Sequence, residues 1–199
     1  MPRYSLSERE DALKVTRQQL MDAALIEFAS RGYADANINQ ISIAAGLAKG
    51  TIYNYFMSKQ ALMLALIEET GIFHLDYIAG EVRKEKAPVA RLEQFYVAGF
   101  AFVEQYPSQA RFLITTLYGT DAVFKMAMYQ TYQSMFQLVS HDIIEFGIAQ
   151  GVFREVDPGR TAALLMTIYL GTSSNVDPDG KIWLKPAEVV SFTLKALEK

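Results

Sequence analysis

Apolar residues recur at three- and four-residue spacings along nearly the whole chain. No stretch shows the period of two that a half-buried strand requires. The pattern is that of an all-α protein. A first helix is predicted over residues 14–31, with Leu20, Ala24 and Phe28 as its buried stripe and Gly32 at its end. Residues 37–59 then read as two short helices joined by a tight turn and followed by the start of a longer one. Asn37 can cap the first short helix, because its side-chain oxygen can accept from the free N–H groups of the first turn. Ile38, Ile41 and Ala45 share its inner face. Gly46 stops it, since the left-handed turn conformation carries no Cβ penalty in glycine, and Leu47 supplies an apolar plug. The second short helix covers residues 49–56. Ile52 and Phe56 face inward, which leaves Lys49, Gly50, Thr51, Tyr53, Asn54 and Tyr55 on or near the outer surface.

A long helix is predicted from Ser58, its cap, to residue 84. Gly71 and Gly80 interrupt it at about 1 kcal/mol each relative to alanine. Gly71 reads either as a flex point or as a place of close helix packing. Pro88 opens a helix that ends at Tyr106-Pro107, as proline cannot continue it. Further helices are predicted over residues 108–118 and 121–150, after Asp157, and from Pro186. The helix after Asp157 is apolar nearly all round and must be covered on both sides; one side is assigned to a second subunit. The division is into a three-helix head, residues 1–57, and a larger helical part, residues 58–199.

Periodicity alone fits residues 37–59 to a helical hairpin in an ordinary bundle as well as to a helix-turn-helix, whose second helix enters the major groove of DNA. The charge pattern favours the second. No Asp or Glu lies between Asp35 and Glu68, while Lys49 and Lys59 fall inside that window. A surface that meets phosphate should lack carboxylates. Residues 1–60 hold seven Lys/Arg against six Asp/Glu and the remainder twelve against sixteen, so the remainder carries the negative charge behind the net −3. Arg3 and Arg9 make residues 1–13 either a basic arm or a disordered tail.

Gly32-Tyr33, Ile41, Ala45-Gly46-Leu47, Lys49-Gly50-Thr51-Ile52-Tyr53, Tyr55-Phe56 and Ser58-Lys59 closely resemble the DNA-binding domain of the TetR family of transcriptional regulators. The run GIAQGVFREVDP at 147–158 resembles that family's junction before its penultimate helix. The resemblance implies a homodimeric, all-helical repressor. An N-terminal three-helix helix-turn-helix domain would bind operator DNA, and a helical effector-binding and dimerisation domain would release it when a small molecule binds. It places Asn37 beside a phosphate, Lys49, Gly50, Thr51, Tyr53, Asn54 and Tyr55 on the reading surface, and Lys59 on a second phosphate. Ala36 and Ala48 depart from the hydroxyl side chains the family more often has there. The resemblance also implies a ligand cavity in the larger part. Tyr77, Phe100, Tyr118, Met128, Tyr132, Phe136, Met166 and Tyr169 are its candidate lining, because aromatics and methionines suit adaptable apolar pockets with hydroxyl handles. Plain core packing explains each of them singly as well. Ala162, Met166, Tyr169, Val190, Leu194 and Leu197 are the candidate dimer contacts.

Other chemistry is missing from the sequence. There is no cysteine, hence no disulfide, thiolate metal site or cysteine nucleophile. There is no G-x-S-x-G, H-E-x-x-H or P-loop motif, so no enzyme, cofactor or metal is expected. His74 and His141 lie on different predicted helices and read as packed or partly exposed residues rather than ligands. Residues 175–180 match the first half of an EF-hand loop, but Pro186 stands where the bidentate Glu belongs. The longest apolar stretch, residues 162–170, is too short to span a bilayer, and residues 1–11 have no signal-peptide core. The expectation is a soluble cytoplasmic protein whose partners are double-stranded DNA, a small molecule and a second copy, with no membrane. The alternative is a helical small-molecule-binding protein without a DNA role.

Overall fold

A computed structural model describes residues 6–177, 179 and 181–199. Arg3 of the predicted arm, and Pro178 and Gly180 of the EF-hand-like run, lie outside the described residues. The regular structure described is helical: α1 Leu6–Asp35, α2 Ile38–Ala44, α3 Lys59–Val82, α4 Pro88–Gln105, α5 Pro107–Leu117, α6 Ala122–Gln137, α7 Phe146–Ala149, α8 Pro158–Ser173 and α9 Pro186–Leu197. One isolated antiparallel bridge joins Val176 to Ile182 in the α8–α9 loop.

Three expectations change. The first helix starts earlier than predicted. Residues 6–13 contain good helix formers and continue α1 upstream, so Arg9 is an exposed helical residue rather than part of an extended arm. At the other end Gly32, at φ 73° and ψ 174°, breaks the helical backbone where predicted, and one short turn follows it. The second helix of the predicted pair is a single 3₁₀ turn, Thr51–Asn54. Gly50 adopts the left-handed conformation at φ 82° and keeps Lys49 out of the turn. The run Thr51-Ile52-Tyr53 is branched and aromatic, which disfavours a longer helix. The predicted 121–150 rod is continuous, but its middle, Leu138–Glu145, is a π-helix. There the Arg91 guanidinium donates to the Asp142 carbonyl at 2.8 Å and lies 4.2 Å over the Phe146 ring.

The predicted caps form. Asn37 Oδ1 accepts from the Asn39 amide at 2.9 Å, Ser58 Oγ from Ala61 at 3.0 Å, and Asp121 and Asp157 from the first turns of α6 and α8. Each fills a donor left free at a helix start, at about 1 kcal/mol.

The buried residues form two clusters, and α3 belongs to both. Its first half, Leu62, Met63, Leu66 and Ile67, packs with Leu20, Phe28, Ile41, Ile52 and Phe56. Phe102, Val103, Ala110, Leu113, Phe124 and Met128 from α4, α5 and α6 join the same cluster. Its second half, Ile78, Ala79 and Val82, packs with Phe95, Val139, Ile143, Leu165 and Val190. Packing is thus continuous across residue 57. Tyr33 meets Phe124 edge-on at 4.6 Å between ring centroids. Gly71 is a place of close packing: a Cβ there would lie 2.4 Å from Thr131 Cγ2 on α6.

The predicted dimer contacts need correction. Ala162, Tyr169, Val190 and Leu197 are buried in the chain's own core, and Met166 and Leu194 are half-buried against it. The apolar side chains that α8 and α9 turn outward are Leu164, 65% exposed, and Phe192, 69% exposed. A helix apolar on all sides does not reveal from periodicity which face its own chain claims.

Candidate nucleic-acid interface and internal cavity

The head is built on α1. Arg17 of α1 pairs with Glu69 of α3 at 3.0 Å and lies 5.4 Å over the Phe56 ring, so it ties the end of the short-helix region and α3 to the same support. Gly46, at φ 75°, turns the chain after α2, and the Leu47 amide donates to the Ser42 carbonyl at 2.9 Å. Ile52 and Phe56 are buried as predicted. Asn37, Lys49, Tyr53 and Asn54 are exposed, and Gly50 and Thr51 are half-exposed. Tyr55 is half-buried against the core rather than free on the outside. Lys59 Nζ donates to the Ala34 carbonyl at 3.0 Å and sits 4.8 Å from the Tyr33 ring centroid. An ammonium has three donors, so this clamp leaves donors for a further acceptor.

A cavity of about 130 Å³ lies among α3, α4, α5, α6 and α8. Four of the predicted residues reach it: Met128, Tyr132, Met166 and Tyr169. The other four do not. Tyr77 is half-buried and donates to Gln105 Oε1 at 3.0 Å. Phe100 is buried in the second cluster. Tyr118 is 62% exposed at the end of α5, and Phe136 is exposed on α6. Much of the wall is aliphatic instead, with Val103, Leu113, Ile114 and Leu117 among its residues. A search for aromatics and methionines passes over these.

His74 is the residue that sequence reasoning missed. It is buried, packs tilted against Phe102 with ring centroids 4.3 Å apart, and lines the cavity. Its Nδ1 is 2.7 Å from the Tyr132 hydroxyl and its Nε2 is 2.8 Å from the Tyr169 hydroxyl. Burial holds the imidazole neutral, with its pKa lowered to about 3, and pushes both phenols above their ordinary range. The one available signal was an imidazole on the mostly apolar inner face of α3, where Thr70 is the other buried polar side chain. Among the described residues no group of three or more His, Cys, Asp or Glu could hold a metal, and no helix is long and apolar enough to cross a membrane.

Residues 20–66 match the family model for the bacterial regulatory proteins of the tetR family. That segment is of the tetR family. It is 31% identical over 134 residues to the HTH-type transcriptional activator FasR of Mycolicibacterium smegmatis, an alignment covering 63% of this chain and 59% of that protein. Among solved structures, it is similar to the transcriptional regulator FadR from Bacillus subtilis in complex with stearoyl-CoA. The TM-score is 0.79 at 19% identity, over 92% of this chain and 98% of that one. It is also similar to AibR in complex with isovaleryl coenzyme A and operator DNA, with a TM-score of 0.72 at 18% identity, over 92% and 97% of the two chains. The tetR-family match begins inside α1 and ends inside α3, so it takes in both short elements and their supports.

The neutral histidine sets a pH dependence. Its folded pKa lies below the unfolded value, so between about 6.5 and 3 the unfolded chain binds the extra proton. The His74 contribution is fully present above pH 6.5 and is lost as pH falls toward 3. Between pH 7 and pH 4.5, wild type is expected to lose roughly 2–3 kcal/mol more stability than His74→Phe in urea unfolding. Parallel pH profiles for the two proteins would contradict a buried neutral His74.

Proposed function

We propose that this protein is a homodimeric transcriptional regulator that binds operator DNA through the head, residues 1–57, and changes its affinity when a largely apolar small molecule fills the cavity of residues 58–199. The observation that carries the reading is the shared first cluster. Val103, Leu113 and Met128 line the cavity and pack in one core with the residues that support α2 and the Thr51–Asn54 turn. Operator DNA in a complex of the same fold supports the first half of the reading. The acyl-coenzyme A molecules held by two proteins of that fold support the second.

On this reading Lys49, Gly50, Thr51, Tyr53 and Asn54 face the groove, Tyr55 borders it, and Asn37 and Lys59 meet phosphates. Two heads must match two half-sites on one face of the duplex. An effector weakens binding only by preferring the conformation whose spacing does not match. A nearly complete switch needs a preference of about 10⁴-fold, or roughly 5.5 kcal/mol. Whether such a regulator represses or activates depends on where its operator lies relative to the promoter. The cavity is close in size to an engineered apolar cavity of about 150 Å³ that binds benzene. In this conformation it accepts a short chain or a single ring. A long acyl chain would require Met128, Met135 and Met166 to change rotamer, which unbranched side chains do readily.

Two experiments test the reading. Lys59→Ala is expected to weaken binding to every duplex alike and to flatten the plot of log affinity against log salt by about one unit. Fluorescence anisotropy on a labelled duplex measures this, and an unchanged slope removes Lys59 from the phosphate contacts. The double variant Leu164→Arg/Phe192→Arg alters exposed side chains only and is expected to run as a monomer in light scattering. A persistent dimer would place the subunit contact elsewhere.

A further inference from the structure

The hydrogen bonds on the polar side of the cavity have a direction. The Tyr169 hydroxyl is 3.3 Å from the Gly99 carbonyl oxygen, to which it donates. Its proton is then committed, so it accepts from His74, and the histidine carries its hydrogen on Nε2. A neutral imidazole has one donor and one acceptor. Nδ1 is therefore the acceptor, and Tyr132 donates to it. Three protons meet three acceptors in series: Tyr132 to His74, His74 to Tyr169, Tyr169 to Gly99. The reversed order would leave the Tyr132 proton without an acceptor among these groups and place the Tyr169 and Gly99 oxygens 3.3 Å apart with no hydrogen between them, and unserved buried polar groups are costly.

Gly99 makes the last step feasible. A Cβ on that residue would lie 2.4 Å from the Tyr169 ring, so only glycine lets the phenol reach the α4 backbone this way. Ser173, the other buried polar side chain on the wall, donates to the Leu170 carbonyl at 3.2 Å. Tyr129, 68% exposed, belongs to the rim. Every proton on the buried polar side chains of the wall is thus engaged, and what remains for an occupant is oxygen lone pairs. No Lys, Arg, Asp or Glu is on the wall.

We propose that the cavity selects uncharged apolar molecules that end in a hydrogen-bond donor, a hydroxyl or an amide N–H, over molecules of the same shape that end in a carbonyl or carboxylate. This rests on reading the cavity as the effector site. A donor meets a lone pair on the Tyr132 or Tyr169 oxygen and leaves the series intact. A carbonyl finds no free proton unless the whole series reverses, and a carboxylate adds an unpaired buried charge. A saturated hydrocarbon chain would fit the apolar wall but leave those lone pairs unserved.

Phenol and benzaldehyde are suitable probes, as each is a single ring of about the cavity's size. In calorimetric titration of the DNA-free protein, phenol should bind about tenfold tighter than benzaldehyde. In His74→Phe the Tyr132 proton loses its acceptor and becomes available, so the preference should vanish or invert. Nitrogen-15 spectra of the ligand-free wild type should show the neutral Nε2–H tautomer, a measurement that does not depend on the variant folding. Equal or tighter benzaldehyde binding, binding of neither probe, or an Nδ1–H tautomer would each overturn the proposal. Because no DNA is present, failure to retain any duplex would sink the regulator reading while leaving this ranking as measured.

Discussion

One helix cannot move without disturbing both halves of the chain. α3 begins at the Ser58 cap beside the head and ends at Val82 in the second cluster, and its buried residues are shared between the two cores. Protein interiors are packed densely enough that a helix so placed has discrete positions rather than a continuum. Close contact at Gly71 with Thr131 fixes its distance from α6 at the height of the cavity. The Arg17–Glu69 pair and the Lys59 contact with the Ala34 carbonyl fix its first half to α1. Whatever changes the cavity wall therefore acts on the support of the short-helix region through residues already in contact.

His74 sits where that coupling is most exposed to an occupant. It is one helical turn from Gly71 and three residues from Tyr77, and its two bonds reach α6 and α8. Burying an imidazole is unfavourable unless both nitrogens are served, and both are. The same arrangement makes the polar side of the cavity specific. An occupant that perturbs either phenol alters a bond of α3 to the rest of the body, so recognition and displacement share the same atoms.

Much of the fold was legible in the sequence because its signals are local. Caps at Asn37, Ser58, Asp121 and Asp157 and the prolines that open α4, α8 and α9 announce helix boundaries by short-range chemistry. Gly46 and Leu47 announced the turn, and the carboxylate-free window from 36 to 67 announced the side of the head suited to phosphate. The misreadings arose where tertiary packing decides. The local cue against a longer helix at Thr51–Asn54, its branched and aromatic run, is weak beside the helical spacing of Ile52 and Phe56, and nothing local says which face of α8 its own chain buries. The cavity wall was half legible. Met128, Tyr132, Met166 and Tyr169 could be named by type, but the aliphatic wall on α5 looks like any core. For a histidine 58 residues from one partner and 95 from the other, no local pattern in sequence names those partners.

Filling the cavity should be felt in the head, because the two share one core. Hydrogen exchange of the whole chain, with and without saturating phenol, is the decisive measurement. Altered protection is expected in the amides of α1, of α2 and of Leu62–Ile67 in α3, as well as around the cavity. Changes confined to α4, α5, α6 and α8, with the head amides exchanging as before, would contradict it.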